Sequence, residues 1–264
     1  MSTYVQITYN VLLLFLMRNI MNNYIFNSLA ETYVIKNKKK KFKETCWRVI
    51  LYSISVLYIY NSYKNNNIEF SRESIWKDWP HEITNDTYNI YKYYISLYIH
   101  QLFLINIESK NTDYISLLIH HFITLILVIL SWYNNFTKIG IFIMGLHDIS
   151  DVFLEIAKCF NYLKSSKLSK GADIFFIIFS ISFFYLRLYI FPTIILPSVM
   201  YDSCNNKNIQ IIEPYCFFSI YYNIFNSLLL SLQILQIYWG YKIVNVIYNS
   251  ILGKKLEDPR DIND

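Results

Sequence analysis

Seven apolar runs dominate this sequence, and each approaches the roughly 20 residues that a helix needs to cross a lipid bilayer. Soluble chains carry about 25% charged residues, whereas this one has 16% charged and 54% hydrophobic residues. The pattern predicts an all-α, polytopic membrane protein with about seven transmembrane helices, and it argues against a disordered chain. The predicted spans cover residues 4–27, 46–63, 88–107, 115–133, 139–157, 172–198 and 214–247.

The orientation of these spans is predicted from the positions of lysine and arginine, which are enriched in short cytosolic loops. They concentrate in three segments: Lys36, Lys38, Lys39, Lys40, Lys41 and Lys43; Lys158, Lys164, Lys167 and Lys170; and Lys254, Lys255 and Arg260. An odd number of spans puts all three segments on one side, which we expect to be the cytosol. The N-terminus is then lumenal if the first span crosses. Asn10, Arg18 and Asn19 interrupt that span, so an interfacial helix is the alternative.

Ionisable residues interrupt the fourth and fifth spans. The fourth carries His120 and His121, and the fifth carries His147, Asp148, Asp151 and Glu155, with Lys158 directly after it. On a helix His147, Asp151 and Glu155 recur at i, i+4 and i+8 and share one face. Asp148 is turned about 100° from that face.

The energetics of insertion indicate that these residues meet partners. A charged residue at mid-span costs about 2.5–3.5 kcal/mol, and each large apolar residue returns about 0.3–0.6 kcal/mol. A short turn near residues 134–138 makes the two helices antiparallel neighbours, and at 1.5 Å per residue His121 and Asp151 lie at similar depth. We therefore expect one intramembrane site built from both helices.

Imidazoles beside carboxylates suit proton transfer or nucleophilic attack, because a carboxylate orients the ring and raises its basicity. We expect His147 to pair with Asp151 or Asp148, and His120 and His121 to polarise a carbonyl. Which histidine performs which task stays open. A metal site is the competing interpretation; membrane di-iron enzymes, however, use many more histidines than these three.

The same residues belong to a longer ordered pattern between Asp113 and Tyr162. Its members are Asp113-Tyr114, His120-His121, Thr124, Ser131, Lys138-Ile139-Gly140, His147-Asp148-Ile149-Ser150-Asp151, Leu154-Glu155-Ile156-Ala157-Lys158 and Asn161-Tyr162. This pattern resembles the Lag1 motif of the TLC-domain ceramide synthases, although Tyr114 stands where Phe is usual and Lys138 where Arg is usual. Further similarity at residues 42–48, 76–80, 187–192 and 235–239 extends the resemblance over most of residues 42–245.

The resemblance implies six helices around a lipid tunnel, with an N-terminal helix outside. It implies three regions: residues 1–41 with the first membrane helix and a basic loop, a TLC domain at 42–250 with the motif at 113–162, and a cytosolic tail at 251–264. The implied reaction joins a fatty acyl-CoA to the amine of a sphingoid base in the endoplasmic reticulum membrane, without a cofactor. The expected partners are these two substrates, membrane lipid and a second subunit in a homodimer or heterodimer, but not nucleic acid.

The site residues implied by the resemblance form two groups. We expect the catalytic residues to be His120, His121, His147, Asp148 and Asp151, and the substrate-binding residues to be Thr124, Glu155, Lys158, Asn161 and Arg187. Two rival functions stay open, namely a non-catalytic lipid-sensing or translocon-associated TLC protein, and a membrane metalloenzyme or hydrolase. Acyl chain length cannot be read from the sequence.

The four cysteines divide between the two sides of the membrane. Cys46 and Cys159 fall near cytosolic helix ends, where we expect them to pack as free thiols. Cys204 and Cys216 fall on the predicted lumenal side, where the compartment permits a disulfide. We predict a bridge between those two, with free thiols as the alternative.

Overall fold

The computed structural model describes residues 2–65, 71–110, 112–206 and 220–252. These ranges form nine helices: α1 (Thr3–Met21), α2 (Asn27–Tyr33), α3 (Lys39–Asn65), α4 (Arg72–Trp76), α5 (Asn85–Ile107), α6 (Tyr114–Tyr133), α7 (Thr137–Asn161), α8 (Ser166–Asn205) and α9 (Ile220–Ile251). A wide π-helical segment, Asn22–Phe26, connects α1 to α2. Extended pairing in the described ranges is confined to one bridge between Val34 and Leu163. The predicted all-α class is confirmed.

Three helices, α6, α8 and α9, are long and apolar enough to cross a membrane. Together with the helical fold, they make the chain a multi-pass membrane protein. The other predicted spans at 4–27, 46–63, 88–107 and 139–157 coincide with helical segments that carry more polar residues. The predicted last span begins at residue 214, and residues 214–219 lie outside the described ranges, as do Lys254, Lys255 and Arg260.

The N-terminal helix α1 runs parallel to α5. Thr3 Oγ1 lies 2.7 Å from the hydroxyl of Tyr88 at one end of the pair. At the other end, Arg18 Nη2 donates to Glu108 Oε1 at 2.7 Å. At a rise of 1.5 Å per residue these contacts cover more than 20 Å of α1. The first helix therefore follows α5 along most of its length.

Helix α7 lies at the centre of the bundle and separates two apolar clusters. Its half nearer the α6–α7 turn contributes Ile139, Ile143 and Leu146 to a cluster with residues from α6, α8 and α9. On the opposite side, Ile141 and Met144 pack with residues of α3 and α5. Because α7 is buried on both sides, its polar residues must find partners inside the protein.

A tight turn joins α6 to α7 and makes them antiparallel neighbours, as predicted. Asn135 adopts a left-handed backbone conformation with φ 55°, which asparagine tolerates better than most residues. The amide of Asn135 is engaged by the chain before α5, since its Oδ1 accepts from His81 N at 3.1 Å and its Nδ2 donates to His81 O at 2.9 Å. This turn sets the relative depth of the residues that α6 and α7 carry.

The described cysteines have the predicted bonding states. Cys46 and Cys159 are free thiols with their Sγ atoms 3.7 Å apart, between α3 and α7. Cys204 is buried and disulfide-bonded. Its predicted partner, Cys216, lies outside the described residues, so the pairing itself stays a prediction.

Candidate active site

A cavity of about 200 Å³ lies between α3, α5, α6, α7, α8 and α9. It is lined by seven of the ten predicted site residues: His120, His121, Asp151, Glu155, Lys158, Asn161 and Arg187. The lining also includes Ser109 and Tyr114, at the ends of α5 and α6 that the positive charges predict to be cytosolic. The cavity therefore leads from that end of the bundle to the histidines.

The three histidines of α6 and α7 form one buried cluster. The ring centroid of His120 lies 5.5 Å from that of His121 and 6.1 Å from that of His147. Trp239 of α9 packs edge-on against His120 at 5.3 Å. The structure thus brings together the histidines of the two predicted spans.

His147 has different hydrogen-bond partners from those expected. Its Nδ1 lies 2.8 Å from the carbonyl oxygen of Ile143, one turn earlier on α7, and its Nε2 lies 2.8 Å from the side-chain nitrogen of Gln236 on α9. A carbonyl oxygen only accepts, so Nδ1 carries the proton and donates it. In the neutral ring Nε2 then accepts from the Gln236 amide. The predicted pairing of His147 with Asp148 or Asp151 is therefore wrong.

The two aspartates turn toward neighbouring helices. The hydroxyl of Tyr94 on α5 donates to Asp148 Oδ2 at 2.6 Å. Arg187 Nη2 on α8 donates to Asp151 Oδ1 at 2.6 Å and to the His147 carbonyl oxygen at 2.6 Å. Asp148 lies about 100° around the helix from His147, and the short Asp151 side chain meets Arg187 instead. Arg187 is an interhelical contact and also lines the cavity.

A chain of ion pairs lines the outer part of the cavity. Glu155 accepts from Arg48 Nε at 3.0 Å and from Lys158 Nζ at 2.8 Å. Arg48 also donates to Glu108 Oε2 at 2.6 Å, and Glu108 accepts from Arg18 of α1. Sequence reasoning gave no role to Arg48 or Glu108, although charged residues at adjacent span ends are the signal that points to such a chain.

The remaining predicted residue, Thr124, lies elsewhere. Its Oγ1 donates to the carbonyl oxygen of His120 at 2.8 Å. It lines a second, smaller cavity of about 30 Å³, which is bordered by His147 and by apolar residues of α9 such as Leu229 and Leu232. His147 thus lines the small cavity, whereas His120 and His121 line the large one.

The described part of the chain holds no group of three or more His, Cys, Asp or Glu residues arranged to bind a metal ion. The carboxylates are engaged by Tyr94, Arg187, Arg48 and Lys158 rather than grouped with the imidazoles. Tyr94 and Gln236, which contact Asp148 and His147, were not among the predicted site residues. Their positions depend on the packing of α5 and α9 against α7.

Comparison with known proteins identifies the family. Residues 41–245 match the model of the TLC domain (TRAM/LAG1/CLN8). Ceramide synthase 4 of Bos taurus is 33% identical over 225 residues, which are 83% of this chain and 53% of that protein. Ceramide synthase 3 of Homo sapiens is 33% identical over 232 residues, 85% of this chain and 56% of that protein. Ceramide synthase 1 LOH3 of Arabidopsis thaliana is 32% identical over 237 residues, 85% of this chain and 74% of that protein.

The chain spans about half the length of the animal ceramide synthases that it matches. The matched segment nevertheless includes α3 to α9, and with them the histidine cluster and the main cavity. Both the family model and the relatives cover most of the chain. It therefore belongs to the TLC domain family.

Proposed function

We propose that this chain is a ceramide synthase, which transfers the acyl group of a fatty acyl-CoA to the amine of a sphingoid base. One observation carries the proposal: His120 and His121 line a cavity inside an apolar bundle, with His147 packed beside them, in a chain whose relatives are named ceramide synthases. The products are ceramide or dihydroceramide and free CoA. The expected location is the endoplasmic reticulum membrane.

Acyl transfer to the sphingoid amine requires a group that accepts a proton from the amine. A thioester is already activated toward attack, but the sphingoid amine is mostly protonated at neutral pH and must lose a proton first. His120 and His121 line the cavity and are positioned to take that proton. The amine nitrogen then attacks the thioester carbon, the C–S bond breaks, and the second proton that the nitrogen loses as the amide forms goes to the departing thiolate of CoA.

A covalent route uses the same residues. An imidazole nitrogen of His120 or His121 attacks the thioester, CoA leaves, and the amine displaces the ring from the acyl group. Both histidines line the cavity, and the Nδ1 atoms of both are buried without a hydrogen-bond partner in the described part of the chain. Both routes need His120 and His121, and neither requires a metal ion or ATP.

The outer part of the cavity favours an anionic donor. Arg48 and Lys158 are balanced by Glu108 and Glu155, but Lys41 and Lys242 also contribute to the lining, and cations attract the phosphates of CoA. We assign this end to the cytosol, where acyl-CoA is found, because the basic loops lie there. Long acyl and sphingoid chains then lie in the apolar interior, with the smaller cavity beyond His147 as part of a lipid tunnel.

We further propose that seven helices cross the membrane. The parallel packing of α1 along α5 supports a crossing first span, because α5 coincides with the third predicted span. A lumenal N-terminus follows from this arrangement. Homodimers or heterodimers and bound membrane lipid are expected from the family, whereas a nucleic acid partner is not.

The decisive experiment is expression in cells that lack their own ceramide synthases, followed by incorporation of labelled sphinganine with a panel of acyl-CoAs. We expect new ceramide from the unmodified chain, and none from His120→Ala or His121→Ala variants that insert normally. His100→Phe is the matched control, because His100 is also a fully buried intramembrane histidine but packs between Phe15 and Trp47 away from the cavity. It should keep its activity.

The rivals give different results in the same system. A non-catalytic TLC protein inserts without producing ceramide from any acyl-CoA. A hydrolase consumes added ceramide, and a metalloenzyme contains stoichiometric metal after purification. Full activity in correctly inserted His120→Ala and His121→Ala variants would reject the site assignment.

A further inference from the structure

The amide of Gln236 is the direct side-chain partner of His147. This contact joins α9 to α7, and both side chains are buried, with Gln236 only 1% exposed. His147 has no other side-chain hydrogen bond in the described part of the chain. We therefore expect the protonation of the His147 ring to depend on Gln236.

The hydrogen-bond pattern shows which nitrogen of the His147 ring carries the proton. Because Nδ1 donates to the Ile143 carbonyl oxygen, Nε2 is the nitrogen that gains or loses a proton. In the structure it accepts from the Gln236 side-chain nitrogen at 2.8 Å. The Nε2 lone pair is consequently covered, and the ring is held neutral.

The other end of the same amide has no partner. Gln236 Oε1 is buried and accepts no hydrogen bond among the described residues, which is unfavourable for a buried acceptor. A rotation of about 180° around the last side-chain torsion would exchange the two ends. Oε1 would then accept a hydrogen bond from a protonated Nε2, and no buried charge would be left without a partner.

We propose that Gln236 is a positioning residue that controls the protonation of His147, donating to the neutral ring and, after rotation of its amide, accepting from the protonated ring. This inference rests on the proposed function, because it concerns the proton that the histidine cluster takes from the sphingoid amine. His120, with its ring 6.1 Å away, lies between His147 and the substrate cavity. Gln236 thereby determines whether that proton can be shared with His147.

Other charged groups around His147 are already engaged. From α8, Arg187 donates to the His147 carbonyl oxygen and to Asp151. From α5, Tyr94 binds Asp148, and Tyr98 borders the same small cavity as His147. From α3, Arg48 pairs with Glu108 and Glu155, and from α6 the ring of His120 contacts that of His147. The group that directly contacts Nε2 is Gln236.

The first test compares two substitutions in the rate–pH profile of ceramide formation. In Gln236→Glu, a carboxylate of the same shape stabilises a proton on Nε2, so the acid limb of kcat moves to higher pH. In Gln236→Leu, no acceptor is present for that proton, so the acid limb moves to lower pH. We expect kcat to fall about 10- to 100-fold in both variants with little change in KM. Shifts in the same direction, or no shift, would overturn the proposal.

The matched control is Gln233→Leu. Gln233 lies three residues before Gln236 on α9, is buried, and makes no hydrogen bond to His147. Its replacement removes a buried amide from the same helix, so a general packing effect of such a change would appear there too. We expect its profile to match that of the unmodified chain.

A second measurement does not need activity. Diethyl pyrocarbonate transfers an ethoxycarbonyl group to an unprotonated imidazole nitrogen, and peptide mass spectrometry of the full-length protein locates the product. We expect His147 to react about tenfold faster in Gln236→Leu than in the unmodified chain, because Nε2 loses the hydrogen bond that covers it. An unchanged rate at His147 would refute the contact. If the unmodified chain forms no ceramide but this labelling changes as expected, the proposed function fails while the control of His147 by Gln236 holds.

Discussion

Asp151 and Arg187 form an ion pair between α7 and α8, with Asp151 Oδ1 2.6 Å from Arg187 Nη2. The same nitrogen of Arg187 donates to the carbonyl oxygen of His147. The pair therefore joins α7, which carries part of the candidate site, to α8. Arg187 lies in a wide-turned stretch of α8, Phe184–Ile195, which includes Pro192.

Loss of Asp151 should destabilise the protein rather than only reduce its activity. Asp151→Ala leaves Arg187 buried without a counter-ion, at a cost of about 3 kcal/mol. Arg187→Met should have a similar cost, while the double variant should be less destabilised than the sum of the two, by at least about 1 kcal/mol. Thermal unfolding in detergent measures all three. Strictly additive losses would contradict a direct pair.

The N-terminal helix should contribute to the cavity although it lies before the matched TLC domain. Arg18→Met removes the link between α1 and Glu108, which is the partner of Arg48 in the cavity wall. We expect a loss of about 1–3 kcal/mol in stability and a raised KM for acyl-CoA. Asn19→Ala is the control, because Asn19 is exposed on the same helix and bonds only Asn23 among the described contacts. Equal behaviour of the two variants would show that the link is unimportant.

Cys46 and Cys159 should form a disulfide under mild oxidation. Their Sγ atoms are 3.7 Å apart and need to approach to about 2.05 Å, which requires only a small shift of the side chains. With hydrogen peroxide as oxidant, the two thiol hydrogens leave as water and both cysteines stop reacting with a maleimide. Reduction restores both. Cys46→Ser should leave Cys159 reactive after the same treatment; if oxidation protects neither thiol in the unmodified chain, α3 and α7 do not meet as described.

Acid should destabilise the segment before α5 that contains His81. Burial and the nearby Lys138 lower the pKa of His81 from 6.5 to about 4, although its Nε2 donates to the Lys77 carbonyl oxygen. The unfolded chain binds this proton below about pH 6.5 and the folded chain only below about pH 4. The contribution of neutral His81 is therefore fully present above pH 6.5 and is lost as the pH falls toward 4, by up to about 2 kcal/mol at pH 5.

Substitution of His81 isolates that effect. His81→Asn removes the titrating ring, so its thermal unfolding temperature should fall less between pH 7 and pH 5 than that of the unmodified chain. Glu82→Gln changes an exposed neighbour and serves as the control. Parallel pH curves for the unmodified chain and His81→Asn would exclude a role for this histidine.

The helical segments and the meeting of α6 with α7 could be predicted from local patterns. Apolar runs of bilayer length can only be helices, since every backbone polar group must be satisfied within the segment. The turn near Asn135 is too short for anything but an antiparallel pair, so His121 could be placed at a depth similar to that of Asp151 on the fifth predicted span. The spacing of His147, Asp151 and Glu155 likewise predicted that these residues share one face of α7.

The partners of those polar residues depended on helices that are distant in sequence. The spacing of His147 and Asp151 is compatible with a hydrogen bond between them, yet Arg187 binds the aspartate and Gln236 binds the imidazole. Helical periodicity states which side chains share a face, but it does not state which neighbouring helix meets that face. Side-chain pairing inside a bundle is decided by helix packing, and therefore only the tertiary structure could assign the partners of His147, Asp148 and Glu155.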